Sequence, residues 1–342
     1  MKLSIIIPCY NCEKTIAECL DSVLKAISAE DEVLCVDDGS SDRMPELLRG
    51  FSDPRIRVIT QKNGGPGAAR NTGIEAASGD QILFVDSDDV ITPPLIGATK
   101  NQPEGSLLKR QLCLRLTRNR KQLEESIPGP AAVRMTLPAE EVKLDVLNAD
   151  RPSAREVVWK GYEIWGPVVK TYCRSILTEH HIRFPDSLRW GEDICFNLQY
   201  LSHIDEVSFI PVKAYWYRPV SGSLINGYYP EKNREILRFL ETAHSLTEGE
   251  KEEKAFSYTA AKQYFYILQA DFCNPGNLDP YRIRRQKAWQ LETENPLVRE
   301  GIRSYVIGDA NPGFGLVILM LKLKCFLAVD LSLKLRTVIS QR

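Results

Sequence analysis

The feature that most constrains the fold is a pattern that occurs four times within residues 1–89. In each occurrence a short apolar run ends in polar residues, and a helical pattern or a turn follows. Continuous apolar runs are typical of strands covered on both faces. Strands that alternate with helices favour right-handed crossovers and a mostly parallel sheet, so the predicted fold class is α/β. The predicted strand segments are residues 3–8, 55–60 and 81–89, together with 32–42, which begins as a strand and breaks into an acidic turn. The predicted helices are 15–27, 43–51 and the later part of 63–79.

Polar clusters follow all four predicted strands. They are Pro8–Asn11, Asp37–Asp38, Asn63–Gly65 and Asp86–Asp88. In open parallel sheets the ligand binds beyond the carboxyl ends of the strands. One such cluster is compatible with a simple turn, but four at one edge predict a binding site.

Residues 83–89, LFVDSDD, take an apolar strand directly into three carboxylates. Asp86 and Asp88 point to one side because strand side chains alternate, whereas Ser87 and Asp89 face away. Carboxylates this close repel each other without a cation, and hard oxygen ligands suit Mg²⁺ or Mn²⁺ completed by substrate phosphates. The pattern therefore predicts a site for a diphosphate that is bound through a divalent metal ion. The alternative for Asp86 or Asp89 is a cap on the following helix.

Four motifs together resemble glycosyltransferase family 2 enzymes of the GT-A fold. They are SIIIPCYN, VDDGSSD, NGGPGAARNTG and FVDSDD, in this order, and they cover residues 3 to about 95. The resemblance implies a Rossmann-like, mostly parallel sheet flanked by helices. It also implies inverting transfer of a sugar from a nucleotide sugar with the help of a divalent metal.

The resemblance further implies a set of donor-binding residues. Pro8 and Tyr10 would frame the nucleotide base, and the Asp38 carboxylate would accept a hydrogen bond from it. Asp86 would approach the ribose or the metal, and Asp88 would bind the metal between the phosphates. The full donor set is Pro8, Tyr10, Asn11, Asp38, Gly65, Arg70, Asn71, Asp86, Ser87 and Arg218, with Asp88 and Asp86 as metal ligands.

Two members of this set have open alternatives. The glycine-rich stretch is not a P-loop, since no Gly-Lys-Ser/Thr follows, and its glycines suit a tight turn before a helix. Arg70 in that helix is either a donor contact or a structural arginine. Arg218 is either a bidentate donor to the diphosphate or, equally, a structural arginine.

The segment WGEDICFN, residues 190–197, resembles the family's catalytic segment. Displacement at an anomeric carbon requires the acceptor hydroxyl to lose its proton, and a positioned carboxylate can accept it. The resemblance implies Asp193 as this base, with Glu192 as the fallback. The alternative is that both acids only complement the dipole of a helix N-terminus. Trp165–Lys170 resembles the acceptor-side segment, although Pro167 stands where the family has asparagine.

The predicted organisation has two parts. Residues 1–225 form the GT-A domain, with a donor half at 1–95 and an acceptor half at about 96–225, and residues 226–342 form a helical region with an amphipathic or apolar terminal helix. Residues 97–155 have little pattern beyond an alternation at Leu112, Leu114 and Leu116 that is compatible with a strand. The basic residues between Lys109 and Lys121 favour a solvated face over an acidic or lipid partner.

The most apolar stretch, Gly313–Ser340, is interrupted by charges, and its longest uncharged run is far short of the roughly 20 residues a membrane span requires. Three interpretations are open: a helix at a membrane surface, a helix packed on the domain, or a homodimer contact.

Composition excludes several classes. The net charge of −1 gives no support for a nucleic-acid partner. Nine scattered cysteines indicate reduced packing thiols in a cytosolic protein, with a redox or zinc site at the Cys9/Cys12 pair as the alternative. Residues 1–4 lead into a short strand-like run, so no signal peptide is expected. The predicted location is the cytoplasm, with the inner face of the plasma membrane as the alternative.

The sequence thus predicts a transferase that uses a nucleotide sugar, UDP-linked in the leading hypothesis, and Mn²⁺ or Mg²⁺. Its acceptor would be a saccharide or lipid-linked saccharide in surface polysaccharide, lipopolysaccharide or capsule synthesis. One alternative is a non-catalytic nucleotide-sugar-binding protein. The presence of Asp88 and Asp193, the residues implied as metal ligand and base, argues against it. A sugar-nucleotide nucleotidyltransferase is less favoured, because it would need a basic glycine-rich loop where Pro8–Asn11 stands.

Overall fold

The computed structural model describes residues 1–102, 105–124, 135–148, 162–219, 228, 230–306 and 312–340. These residues divide into two compact units, one within residues 1–143 and 158–219 and the other within residues 144–157 and 220–342.

The first unit contains nine strands within the described residues. They are β1 (Leu3–Cys9), β2 (Glu32–Asp37), β3 (Ile56–Thr60), β4 (Gln81–Phe84), β5 (Val90–Ile91), β6 (Arg110–Thr117), β7 (Met135–Pro138), β8 (Tyr172–Cys173) and β9 (Glu206–Trp216). The helices of the described chain are α1 (Ile16–Ala26), α2 (Met44–Arg49), α3 (Pro66–Ala76), α4 (Pro93–Lys100), α5 (Ala139–Leu147), α6 (Arg174–Glu179), α7 (Glu192–Leu201), α8 (Lys232–His244), α9 (Gly249–Ile267), α10 (Tyr281–Glu294), α11 (Pro296–Ser304), α12 (Pro312–Lys322) and α13 (Phe326–Ser340).

The main sheet has the strand order β3-β2-β1-β4-β8. The first four strands are parallel, and β8 pairs antiparallel with β4 at the edge. Central strands covered on both faces require unbroken apolar side chains, and Leu3, Ile5, Ile6 and Ile7 of β1 are fully buried. The predicted α/β class and the parallel arrangement of the four strands are confirmed.

A second sheet is built around the long strand β9. It pairs in parallel with β6 and antiparallel with β5 and β7. The alternating leucines predicted to suit a strand do lie on one, because β6 spans Arg110–Thr117. Pairing of Val90 with Trp216 brings the end of β9 next to the acidic loop that follows β4.

The second unit is helical. Its buried side chains include large aromatics such as Phe239, Tyr258 and Tyr264. A buried ion pair joins helices α10 and α13, with Arg284 Nη1 2.6 Å from Asp330 Oδ1. Removing one partner of such a pair would leave an uncompensated buried charge, so the pair fixes how these helices meet.

The apolar stretch Gly313–Ser340 contains two helices, α12 and α13. They are separated at Lys324, which has a φ of 56°. No helix in the described ranges is both long and apolar enough to cross a membrane. All nine cysteines lie within the described residues as free thiols, eight of them buried and Cys325 exposed.

Candidate active site

The loops after β1 and β2 hold the first predicted donor residues. Pro8 is half-buried, and Tyr10 is 53% exposed, which leaves its ring open to a planar ligand. Asn11 takes a φ of 47°, and its side-chain oxygen accepts a hydrogen bond of 2.8 Å from the backbone N–H of Ser41. Asn11 therefore joins the two loops, and a direct contact between Asn11 and a donor stays a prediction.

Asp38 is buried and closes the glycine-rich loop. Its carboxylate accepts 2.8 Å hydrogen bonds from the backbone N–H groups of Gly64 and Gly65 and from the side chain of Gln61. Gly65 has a φ of 90°, a conformation that favours glycine, and it precedes the first residue of α3. The Asp38 carboxylate oxygens already accept hydrogen bonds within this loop. A hydrogen bond from the nucleotide base of a donor, as predicted, would be an additional one to the same oxygens.

Helix α3 carries Arg70, which is only 6% exposed. Its Nη2 lies 2.8 Å from Asp86 Oδ1, and its Nη1 lies 3.9 Å from Glu192 Oε1. The arginine thus links the acidic loop after β4 to the start of α7. The neighbouring Asn71 pairs its amide with the backbone N–H and carbonyl of Phe184, so in this structure it positions the chain that leads to α7.

The residues of the acidic loop after β4 lie in different environments. Asp89 is buried and accepts hydrogen bonds from the Tyr215 hydroxyl at 2.7 Å and the Arg218 backbone N–H at 2.8 Å. Burial raises the pKa of Asp89 to about 7, despite these donors. Ser87 is half-buried. The strand predicted over residues 81–89 ends at Phe84, and the Asp89 backbone N–H donates to the Asp86 carbonyl at 3.1 Å across a turn. The strand alternation that was predicted to set the directions of Asp86 and Asp88 therefore does not apply.

The Arg218 side chain also binds this loop. Its Nε donates to the backbone carbonyl of Asp88 at 2.6 Å, and its Nη2 pairs with Glu18 at 2.5 Å. The guanidinium also lies over the Trp216 ring at 4.6 Å. Arg218 therefore holds the loop in place, and its predicted contact with a diphosphate is not tested by this arrangement.

The fit of a divalent cation depends on Asp88 and Asp86. Within the described residues no group of three or more histidine, cysteine, aspartate or glutamate side chains could hold a metal ion. Mg²⁺ commonly uses one or two carboxylates and takes its remaining ligands from water and substrate phosphates. Burial and the adjacent Asp86 charge raise the pKa of Asp88. The two carboxylates therefore fit a metal that arrives with a diphosphate.

Asp193 lies in the first turn of α7, after Gly191 in the left-handed conformation. Its Oδ1 accepts a hydrogen bond of 2.8 Å from the Ile194 backbone N–H. Burial and the neighbouring Glu192 charge raise the pKa of Asp193 to about 7. A carboxylate whose pKa lies near neutral pH can accept a proton efficiently. A carboxylate that only complements a helix dipole has no need of such a pKa.

A cavity of about 430 Å³ joins these groups. Arg70, Asp86, Glu192 and Asp193 all line it, so the structure brings four of the predicted residues together. The other predicted donor residues lie on the loops around β1–β4, on α3, or after β9, outside the cavity lining. The remaining lining residues are Leu116, Arg118, Glu163, Trp165, Gly166, Pro167, Val168 and Tyr217.

Two of these remaining residues have unused donors. The buried Trp165 indole N–H has no hydrogen-bond partner among the described residues. Arg118 is exposed and stacks over the Tyr217 ring at 5.7 Å, without a carboxylate partner in the described chain. Sequence reasoning missed Arg118, because it belongs to the basic run predicted to be a solvated face. Trp165 had a signal in the acceptor-side resemblance.

Hydrogen bonds from Lys170 hold the segment that contains Trp165. This buried lysine donates from Nζ to the carbonyls of Glu163 and Gly166, and burial lowers its pKa. The Trp165 and Gly166 backbone N–H groups each donate to the Glu163 carboxylate at 2.9 Å. The lysine and the glutamate therefore fix the turn that presents Trp165 to the cavity.

Solved structures with a similar backbone show the fold. The Staphylococcus aureus TarS 1–349 structure in complex with UDP-GlcNAc matches with a TM-score of 0.64 and 19% identity, over 98% of this chain and 91% of that one. The mannosyltransferase PcManGT from Pyrobaculum calidifontis, in complex with GDP-Man and Mn²⁺, matches with a TM-score of 0.53 and 12% identity, over 99% and 88%. The chain has the GT-A fold, as predicted.

Sequence comparison finds a family match over part of the chain. Residues 4–105 match the model described as glycosyl transferase family 2, which confirms the predicted resemblance. The uncharacterized glycosyltransferase EpsJ of Bacillus subtilis (strain 168) is 31% identical over 224 residues, 65% of this chain and 62% of EpsJ. The poly(ribitol-phosphate) beta-N-acetylglucosaminyltransferase TarS of S. aureus (strain Mu50 / ATCC 700699) is 27% identical over 253 residues, 70% and 40% respectively. The chain thus spans less than two thirds of the length of each of these relatives.

Proposed function

We propose that this chain is a metal-dependent, inverting glycosyltransferase that moves a sugar from a nucleotide sugar to an acceptor hydroxyl. The observation that carries the proposal is the cavity that Asp86 and Asp193 both line. One carboxylate belongs to the predicted metal and donor edge, and the other has its pKa raised to about 7. A donor and an acceptor could therefore meet in one cavity.

Asp193 is the proposed general base. As the acceptor oxygen bonds to the anomeric carbon, its proton passes to the Asp193 carboxylate, and the bond from that carbon to the diphosphate oxygen breaks. A single displacement inverts the configuration at the anomeric carbon. Arg70 Nη2 lies 2.8 Å from Asp86 Oδ1, and its Nη1 lies 3.9 Å from Glu192 Oε1. Arg70 therefore fixes the position of the loop after β4 relative to the start of α7, which carries Asp193.

The proposed cofactor is Mn²⁺ or Mg²⁺, held by Asp88 and Asp86. A bound divalent cation would offset the negative charge that develops on the leaving diphosphate. The neighbouring structure with GDP-Man and Mn²⁺ supports this choice for a related fold. Arg218 would keep the loop of Asp88 in place through its hydrogen bond to the Asp88 carbonyl.

The proposed donor is a UDP-sugar, with the exposed Tyr10 ring and half-buried Pro8 framing the base. The similar structure that contains UDP-GlcNAc supports a uridine nucleotide. The proposed acceptor is a saccharide or lipid-linked saccharide of a surface polysaccharide. Relatives named for poly(ribitol-phosphate) glycosylation and succinoglycan biosynthesis support that acceptor class.

On the acceptor side we infer contacts from Trp165 and Arg118. A buried indole N–H without a partner loses a hydrogen bond that an acceptor hydroxyl could supply. The Arg118 guanidinium offers further donors at the same cavity.

The experiment is UDP release by the full chain with Mn²⁺ across a panel of UDP-sugars, with GDP- and dTDP-sugars for comparison. The expected result is release from at least one UDP-sugar that increases when an acceptor glycan is added. Binding of a UDP-sugar without any release, with acceptor glycans present, would favour the non-catalytic alternative. Binding of GDP- or dTDP-sugars but of no UDP-sugar would overturn the choice of nucleotide.

A further inference from the structure

Helices α12 and α13 and the turn between them present five leucines to solvent, together called the leucine face here. Their side chains are between 37% and 64% exposed. They are Leu316, Leu319, Leu323, Leu327 and Leu331. Leu316 and Leu319 are three residues apart in α12, and Leu327 and Leu331 are four apart in α13, the spacing that places side chains of one helix on one side. Leu323 lies in the turn between the two helices.

The opposite side of both helices is also apolar. Ile318 and Leu321 of α12, and Phe326 and Val329 of α13, are almost fully buried. These residues already supply the packing that holds the helices. The leucine face therefore adds apolar surface beyond what folding requires, and contiguous exposed apolar surface is typical of an interaction site.

The charges around the leucine face have one sign. Between residues 313 and 334 every exposed charged side chain is a lysine, while Asp330 is buried against Arg284. Lys322 donates to the carbonyls of Arg303 and Tyr305, so no carboxylate neutralises it within the described residues. Arg303 itself is exposed beside it.

The whole segment is more basic than the chain. Residues 312–340 contain Lys322, Lys324, Lys334 and Arg336 against Asp330, a net charge of four minus one, or +3, whereas the complete chain has −1. Lys324 is paired with Glu292 and Lys334 with Asp330, so among the described side chains here Lys322 and Arg303 are the cations without a carboxylate partner.

We propose that the leucine face docks on the surface of a bilayer that contains anionic lipid. The leucines enter the boundary between headgroups and acyl chains, and Lys322 and Arg303 meet lipid phosphates. Leucines beside basic residues, on helices too short to span the bilayer, are the pattern of a surface-bound segment. A two-fold pairing of two leucine faces would instead bring like charges together, because such an interface uses the same patch on both copies.

This docking is independent of the proposed transferase activity and can be measured without substrate. The full chain is sedimented with vesicles of phosphatidylglycerol and phosphatidylcholine, and with phosphatidylcholine alone. The expected result is binding to the anionic vesicles that weakens as salt is raised. The combined variant Leu323→Ser, Leu327→Ser, Leu331→Ser should lose at least about tenfold in partition coefficient, since each leucine contributes buried apolar area.

Two further variants sharpen the test. Lys322→Gln with Arg303→Gln should weaken binding to anionic vesicles on the order of tenfold and leave binding to neutral vesicles unchanged. Leu278→Ser, at a leucine that is 94% exposed outside the leucine face, is the matched control and should bind like the wild type. The leucine variants should keep the wild-type melting temperature, because the changed side chains are exposed. The Lys322→Gln, Arg303→Gln variant loses the two hydrogen bonds of Lys322, so Arg303→Gln alone, which keeps them, is measured beside it and should weaken binding to anionic vesicles in the same direction.

Three results would overturn the proposal. The first is a wild-type chain that does not sediment with anionic vesicles. The second is a triple leucine variant, folded as judged by its melting temperature, that binds as strongly as the wild type. The third is a dimer in light scattering that the leucine substitutions dissociate while vesicle binding is absent, which would make a second copy the occupant.

Discussion

The two sides of the candidate site differ in how their polar groups are used. On the donor side, Asn11, Asp38, Asn71 and Asp89 bind other parts of the protein through hydrogen bonds. On the acceptor side, the Trp165 N–H has no partner among the described residues. Asp193 and Asp89 both have a pKa raised to about 7, but Asp193 accepts a hydrogen bond only from the adjacent backbone N–H within the described chain, whereas Asp89 accepts two from β9 and the residues that follow it. Saturated groups make a rigid frame, whereas unsatisfied groups indicate where a substrate would complete the structure.

The largest expected effect of a substitution on the donor side concerns Asp88. Asp88→Ala should lower turnover on the order of a thousandfold, because it removes the proposed ligand of a cation that stabilises the leaving diphosphate. The check is UDP release with titrated Mn²⁺, beside the wild type treated with chelator and then restored with Mn²⁺. Full activity of the chelated wild type, with residual metal excluded by elemental analysis, would contradict the metal assignment.

The hydrogen-bonded frame on the donor side should contribute to the free energy of unfolding. Asp38→Ala removes the acceptor of the Gly64 and Gly65 N–H groups, at a cost of about 0.5–1.5 kcal/mol for each lost hydrogen bond, because these glycines are exposed or half-buried and water can reach them. Denaturant unfolding measures this loss, and Asp38→Asn, which keeps one acceptor oxygen, should lose less. Equal stability of Asp38→Ala and the wild type would remove the structural role.

The acceptor side should respond in the opposite direction. Because the folded-state pKa of Asp193 is raised from 3.8 to about 7, its ionised form opposes folding once the pH exceeds the ordinary carboxyl range. Asp193→Asn should therefore unfold at a higher temperature than the wild type at pH 8, and the difference should shrink as the pH falls towards 4. A lower melting temperature at pH 8 would contradict this comparison of the two sides.

The pH dependence of turnover follows from the same shift. The base must be deprotonated, so kcat/KM should rise by about tenfold per pH unit below pH 7 and level off above it. Glu192→Gln removes a neighbouring negative charge that raises the pKa of Asp193, so this limb should move to lower pH. An unchanged limb in that variant would mean that another group titrates.

The smallest expected effect is at Trp165. Trp165→Phe keeps an aromatic ring and removes the N–H, so the acceptor KM should rise about two- to tenfold, the worth of one neutral hydrogen bond. The donor KM should stay unchanged, and initial-rate kinetics with each substrate varied in turn separates the two. A change confined to the donor KM would place Trp165 on the other side of the cavity.

Local pattern predicted the donor half well. The apolar spacing predicted a helix over 15–27, and α1 spans Ile16–Ala26, because one face of it packs on the sheet. The strand β1 was predicted to end at Pro8 and ends at Cys9. These elements depend on neighbours within a few residues, which a single sequence displays directly.

Contacts between distant residues could not be predicted in the same way. The link from Asp86 through Arg70 to Glu192 joins residues more than a hundred positions apart and depends on how α3 meets α7. The break between α12 and α13 occurs at Leu323–Cys325, which contains neither glycine nor proline. The family resemblance, rather than any local pattern, was the reason for choosing Asp193 over the helix-terminus interpretation.

The measurement that tests the central claim most directly is donor binding and turnover on the same samples of wild type and Asp193→Asn. UDP-sugar affinity is measured by calorimetry with Mn²⁺, and UDP release is measured with acceptor. The account predicts unchanged donor affinity and a loss of turnover between about 10² and 10⁴-fold in Asp193→Asn. Turnover of the acceptor at the wild-type rate in that variant would contradict the assignment of Asp193 as the base.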